Sequence, residues 1–113
     1  MPKPVELEAR RLLKAYCDER VPPELRDQLR LEVELRGNAL TILECRPPWH
    51  PDSSEWSGLK VARLRYDAGT GTWTLYASDS NGRWSKYDYA LPSRDLATLL
   101  AEIDADPTGI FWG

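Results

Sequence analysis

Leu29-Arg30-Leu31-Glu32-Val33-Glu34-Leu35-Arg36-Gly37-Asn38-Ala39-Leu40-Thr41-Ile42-Leu43-Glu44 decides the fold of this chain. Leu29, Leu31, Val33 and Leu35 alternate with Arg30, Glu32, Glu34 and Arg36. A strict period of two sends alternate side chains to opposite faces, so the stretch reads as a half-buried strand. Gly37-Asn38 then forms a two-residue type II′ turn, with Gly at the first central position, where φ is positive. That turn sets Leu35 opposite Leu40, Val33 opposite Ile42 and Leu31 opposite Glu44. The apolar pairs share one face, so turn and pattern agree. Glu44 shares that face too, where a carboxylate needs either the strand's wet end or a partner.

Two more hairpins extend the ribbon. A loop of Ala68-Gly69-Thr70-Gly71 brings Leu64 and Tyr66 beside Leu75 and Trp73, keeping the apolar residues on one face. Asn81-Gly82 is a type I′ turn signal, which pairs Tyr76 with Tyr87 and Asp79 with Trp84. Helices flank the strands. Residues 5–20 carry Val5, Ala9, Leu12, Leu13, Tyr16 and Cys17 at helical spacing, and Pro22-Pro23 ends them. Residues 24–27 add a short helical turn. Ser93 caps a last helix with Asp95 in its first turn, Leu96, Leu99, Leu100 and Ile103 as its apolar stripe, and Pro107 as its stop. The expected architecture is α+β. A five-stranded antiparallel meander sheet carries the N-terminal and C-terminal helices on one face, in a single domain over residues 1–113. Residues 46–59 form a long connection.

The chain ends Ile110-Phe111-Trp112-Gly113. Three large apolar residues at a terminus forfeit roughly 1.5–3 kcal/mol each if left in water, so the tail is expected to dock. Charge is unevenly spread. Residues 1–36 and 37–92 are each balanced, whereas residues 93–113 hold one Arg and four acids, so the net charge of −3 sits at that end. This disfavours nucleic acid as a partner, because a phosphate-binding face needs clustered cations. No run approaches the ~20 apolar residues of a membrane span, so no membrane partner is expected. No signal peptide is visible at the N-terminus. Cys17 and Cys45 lack a CxxC spacing and read as reduced thiols of a cytoplasmic protein.

Signals for chemistry are sparse. His50, the single histidine, lies in the 46–59 loop without a nucleophile pattern and reads as a solvated loop residue. Gly69-Thr70-Gly71 lacks the Lys and Ser/Thr of a phosphate loop, and a hairpin explains it. Asp104, Asp106, Thr108 and Gly109 match half a calcium loop, but the chain stops before the bidentate glutamate. Two acids at a helix C-terminus oppose the dipole and call for a cationic partner. No catalytic residue, cofactor or metal is assigned.

Two surfaces remain. The hairpin registers line up Arg63, Tyr76 and Tyr87 across the sheet face opposite the core, with Arg65 in the next row and Leu43, Cys45 and Val61 beside them. Arg over aromatic rings is a binding surface, or simply cross-strand pairing that stabilises the sheet. The second surface is a pocket between the 46–59 loop and the tail, lined by Arg46, Trp49, Asp104 and Asp106.

Arg26-Asp27-Gln28-Leu29, Arg46-Pro47-Pro48-Trp49, Val61-Ala62-Arg63-Leu64-Arg65-Tyr66, Gly71-Thr72-Trp73, Asn81-Gly82-Arg83-Trp84 and the Asp104–Gly113 ending carry a resemblance across nearly the whole chain. They resemble a family of small bacterial proteins, number three thousand and twenty-four in the domain-of-unknown-function series. The resemblance implies a stand-alone bacterial cytoplasmic domain and brings no activity or catalytic residue with it. The expected function is a non-enzymatic binding or self-association module using the outer sheet face, its partner being itself (as a homodimer) or another protein. One alternative is an enzyme or small-ligand protein using the pocket. The other is a single-strand nucleic-acid binder using Arg63, Arg65, Tyr76 and Tyr87.

Overall fold

The computed structural model describes residues 1–48, 52 and 55–113. It is an α+β fold. Helix α1 (Lys3–Arg20) leads through a single 3-10 turn (Pro23–Leu25) into strands β1 (Arg30–Arg36), β2 (Ala39–Arg46), β3 (Ser57–Asp67), β4 (Thr72–Ser78) and β5 (Trp84–Lys86), and helix α2 (Leu96–Ala105) follows. The strands form one antiparallel sheet in chain order.

Helix α1 starts two residues before the expected Val5. Pro4 sits in its first turn, where the missing N–H has no intrahelical acceptor anyway. It ends at Arg20 because Val21 precedes Pro22 and is forced extended, with φ −121° and ψ 99°. Helix α2 is capped by Asp95, not Ser93: the Asp95 carboxylate accepts the N–H of Ala97. Ser93 is instead held extended by a two-bond bridge to Trp73, its N–H and C=O both paired.

The first hairpin has the expected register, with Leu35 opposite Leu40, Val33 opposite Ile42 and Leu31 opposite Glu44. Gly37 has φ +56° while Asn38 does not turn positive, as a type II′ turn requires. Glu44 finds its partner two residues on, where Arg46 grips it at 2.8 Å. The second hairpin also holds, with Leu64 opposite Leu75 and Tyr66 opposite Trp73.

The third hairpin differs by one residue. Ser78 faces Trp84, Ala77 faces Ser85 and Tyr76 faces Lys86, so the loop runs from Asp79 to Arg83. Asp79 causes this. Its Oδ1 accepts the N–H groups of Asn81 and Arg83, and its C=O accepts the Gly82 N–H. Only Gly82 has positive φ, whereas a type I′ turn needs it at Asn81 as well. A one-residue slip exchanges faces. Tyr87 therefore belongs to the core, and Trp84 takes the outer side.

Both helices cover the same sheet face. Ala9 and Leu13 of α1 and Leu96, Leu99, Leu100 and Ile103 of α2 pack on Leu40, Ile42, Leu64, Trp73 and Leu75. The tail completes this layer in part. Phe111 is buried against Tyr87 with ring centroids 5.1 Å apart, and Trp112 is half-buried. Ile110, expected to dock with them, is 46% exposed. No helix of the described residues is long and apolar enough to cross a membrane.

Candidate functional site

The sheet face away from the helices carries the densest group of functional side chains. Alternation from the observed registers places Arg30, Arg36, Lys60, Arg63, Arg65 and Lys86 on it, against Glu32, Glu34 and Asp67. The face is thus net positive on a chain whose net charge is −3. Lys60 joins it through a β-bulge. The β2–β3 register shifts after Ile42, leaving Val61 as the extra residue and setting Lys60 opposite outward-facing Leu43. Without the bulge, Lys60 would stand opposite inward-facing Glu44.

Trp84 organises the patch. The Arg63 guanidinium stands 4.5 Å from its ring centroid and the Lys60 ammonium 5.7 Å. Arg63 also donates to the Thr41 hydroxyl at 3.0 Å, and Lys60 to the Gly82 carbonyl at 3.0 Å. Tyr76 lies between Arg63 and Lys86 across three strands. A second stack, Arg30 over Trp56 at 3.9 Å, stands toward the β1 side. These stacks lie over small residues: Thr41 and Cys45 are buried on a face that no helix covers, while Val61, the extra residue of the bulge, belongs to the core cluster. Burial, aided by nearby Glu32, raises the Cys45 pKa. Cys17 is on the helical side of the sheet, so the two free thiols are not placed to pair.

Ion pairing separates this face from helix α1 and the turn that follows it. Lys3, Arg10, Arg11, Lys14, Arg20 and Arg26 each reach a carboxylate. Among the described residues, Lys60, Arg63, Arg65 and Lys86 make no ion pair. Of the four residues expected on this face, Arg63, Arg65 and Tyr76 are there. Tyr87 is not: it is 4% exposed, and its hydroxyl donates to Glu102 at 2.9 Å. Burial, then that hydrogen bond, raises its pKa. Trp84 was missed for the same reason that Tyr87 was misplaced. The available signal was Asp79, since Asp-x-x-Gly marks a type I turn ending in a left-handed glycine.

The expected pocket does not assemble among the described residues. Trp49 and His50 lie outside them. Arg46 is bound to Glu44 at the end of β2, while Asp104 accepts from Arg20 at 2.9 Å and from Tyr16 at 3.3 Å. Burial is the main reason that the Tyr16 pKa rises to about 12. Arg20 is the cationic partner that the acidic end of α2 called for. Asp104 instead borders a groove of about 450 Å³ between the helices, with Leu12, Ala15, Tyr16, Arg20 and Ala101.

Asp106 has a structural task. It stands at φ +44°, the left-handed C-cap of α2, and its two oxygens accept the N–H groups of Phe111 and Trp112 at 3.0 and 2.8 Å. Its residual burial works to raise its pKa, but the backbone donors Phe111, Trp112, Gly113 and Ile110 together outweigh that and lower it below 3.8. A carboxylate with a depressed folded pKa stabilises fully above its unfolded value and loses this as pH falls through the folded one. Tail docking is therefore expected to hold above pH 3.8 and to loosen below it. The Trp112 indole N–H, bonded to the Ile103 carbonyl, reports this by NMR. Asp106→Asn should weaken docking already at neutral pH.

Neither a curated protein nor a solved structure matches the chain. A family model described as Domain of unknown function (DUF3024) matches residues 2–113, which include the whole sheet, both helices and the clamped tail, and the chain therefore belongs to that family.

Proposed function

We propose that this domain is a binding module whose outer sheet face receives an acidic segment of another protein. One observation carries this reading: among the described residues Lys60, Arg63, Arg65 and Lys86 gather around Tyr76 and Trp84 without an ion pair, Asp67 being the one carboxylate on their part of the face, while the cations of α1 are all paired. Nature tolerates solvated cations, but a cluster of them braced by aromatic rings is pre-organised for an anion. Arg63 is held from two sides and loses little freedom on binding. Arg65 and Lys86 are exposed.

An acidic peptide fits better than a phosphate chain. A nucleic acid carries a charge at every nucleotide and favours a continuous cationic track. Here the track stops at Glu32 and Glu34 on the same face. Single-strand binding stays as the second reading because Tyr76 and Trp84 offer π-faces beside cations.

Titrating the full chain with a fluorescent acidic peptide and with a single-stranded oligonucleotide separates the two. The peptide should bind, and Arg65→Gln with Lys86→Gln should weaken it about tenfold, from two exposed charge pairs of ~0.7 kcal/mol each. The melting temperature should stay unchanged. If the oligonucleotide binds instead, four neutralised phosphates give a log–log salt slope of about −3. Failure of both ligands to bind overturns the proposal.

A further inference from the structure

The two edges of the sheet are treated differently. The β5 edge is blunted: β5 has three residues, and Ser93 closes the backbone of Trp73 on β4 beyond it. The β1 edge is open along seven residues. Of the usual devices that stop strands from pairing it has no proline, no lysine, no bulge and no charge on its inner face; its four charges, Arg30, Glu32, Glu34 and Arg36, all lie on the outer face and are of both signs.

Backbone parity follows from the Gly37-Asn38 turn. Arg36 and Ala39 close it, so the even-numbered residues of β1 spend their N–H and C=O groups on β2. Leu31, Val33 and Leu35 therefore aim theirs at the free edge. Their side chains are only half-buried. Beside them, a groove of about 380 Å³ is lined by Arg10, Leu13, Lys14, Cys17, Leu31 and Val33. The core is left uncovered along this side.

We infer that β1 pairs antiparallel with β1 of a second copy, joining two five-stranded sheets into one of ten. The sequence itself selects the occupant. Arg-Leu-Glu-Val-Glu-Leu-Arg reads the same in both directions, so an antiparallel copy presents an identical order of charge. Centred on Val33, like charges stand opposite each other. A slip of two residues sets Arg30 opposite the second copy's Glu34, or Arg36 opposite its Glu32, twice across the seam, against a single like pair at the axis, where Glu32 or Glu34 meets its own copy. An even slip keeps Leu31, Val33 and Leu35 on the core face. Opposite charges across strands stabilise pairing and like charges oppose it. The half-buried leucines and the groove beside them supply the apolar contact that backbone pairing lacks. The two-fold axis makes the contact isologous and closed. This inference concerns the edge and does not rest on the outer-face reading.

Sedimentation velocity of the full chain tests it, together with two charge variants that leave Leu31, Val33 and Leu35 untouched. The wild-type protein should run as a dimer at twice 12.9 kDa, dissociating on dilution. Glu32→Arg with Glu34→Arg makes the edge wholly cationic, and Arg30→Glu with Arg36→Glu makes it wholly anionic. Each should be monomeric alone with a native circular dichroism spectrum, and the two mixed should recover the dimer. A wild-type chain that stays monomeric at high concentration overturns the inference. So does a dimer that survives in either variant, or a mixture that fails to restore it.

Discussion

Phe111→Ala is expected to lower the melting temperature by roughly 10–15 °C, and removal of residues 107–113 by at least as much. Phe111 is 7% exposed and packs on Tyr87, itself 4% exposed. Truncating a buried Phe costs about 3–5 kcal/mol. The lower end applies at a terminus, because a weakened tail can undock and so caps the loss. For a domain of this size ~1 kcal/mol moves the midpoint by roughly 4 °C. Deletion removes more than the ring. It takes the Trp112 indole away from the Arg20 guanidinium, 3.8 Å from its centroid, and from the Ile103 carbonyl. It also strands the Asp106 carboxylate without its amide donors in a left-handed conformation. Ile110→Ala is the control: at 46% exposure it should melt within a degree or two of wild type. Thermal circular dichroism on the three variants decides the matter. A Phe111→Ala protein that melts with wild type would mean that the tail is not part of the core.

Tyr87→Ala and Trp84→Ala should have opposite signatures, although the residues are three apart on one short segment. Tyr87→Ala is expected to cost ~3 kcal/mol or more, through a lost buried ring and a Glu102 left without its donor. Trp84→Ala should cost ~1 kcal/mol, the sum of two partly exposed cation–π contacts. Its larger effect should fall on binding of an acidic peptide, because Arg63 and Lys60 lose the ring that positions them. Chemical denaturation of both variants, with peptide titration of Trp84→Ala, checks this. Equal stability losses would contradict the Asp79–Arg83 loop. The reverse order would restore the two-residue turn and return Tyr87 to the outer face.

Most of the fold was legible where local chemistry and burial pointed the same way. The first hairpin was so because alternation over Arg30–Arg36 and a glycine turn demand one register. The β3–β4 hairpin followed because the competing loop length would have mixed Arg65 with Trp73. The third hairpin misled because Asn81-Gly82 is a strong signal and both loop lengths put one aromatic on each face. Only the Asp79 carboxylate, bonded to two amides inside the loop, broke the tie. The C-terminal helix showed the same pattern: its stripe was plain, but its cap moved from Ser93 to Asp95 because Trp73 took Ser93 into a bridge.

Periodicity along the chain was enough to set the number of strands, their order, the two amphipathic helices and the docking of the terminal aromatic residues. These follow from the side-chain periods of backbone structure and from water's exclusion of apolar area, both of which act on neighbours in sequence. Which cations stand unpaired, that Lys60 crosses to the outer face at the bulge, that Trp84 joins it there, and that one sheet edge is closed while the other is open emerged only on folding. Each depends on groups far apart in the chain meeting in space, and on a one-residue offset that reverses every side chain beyond it.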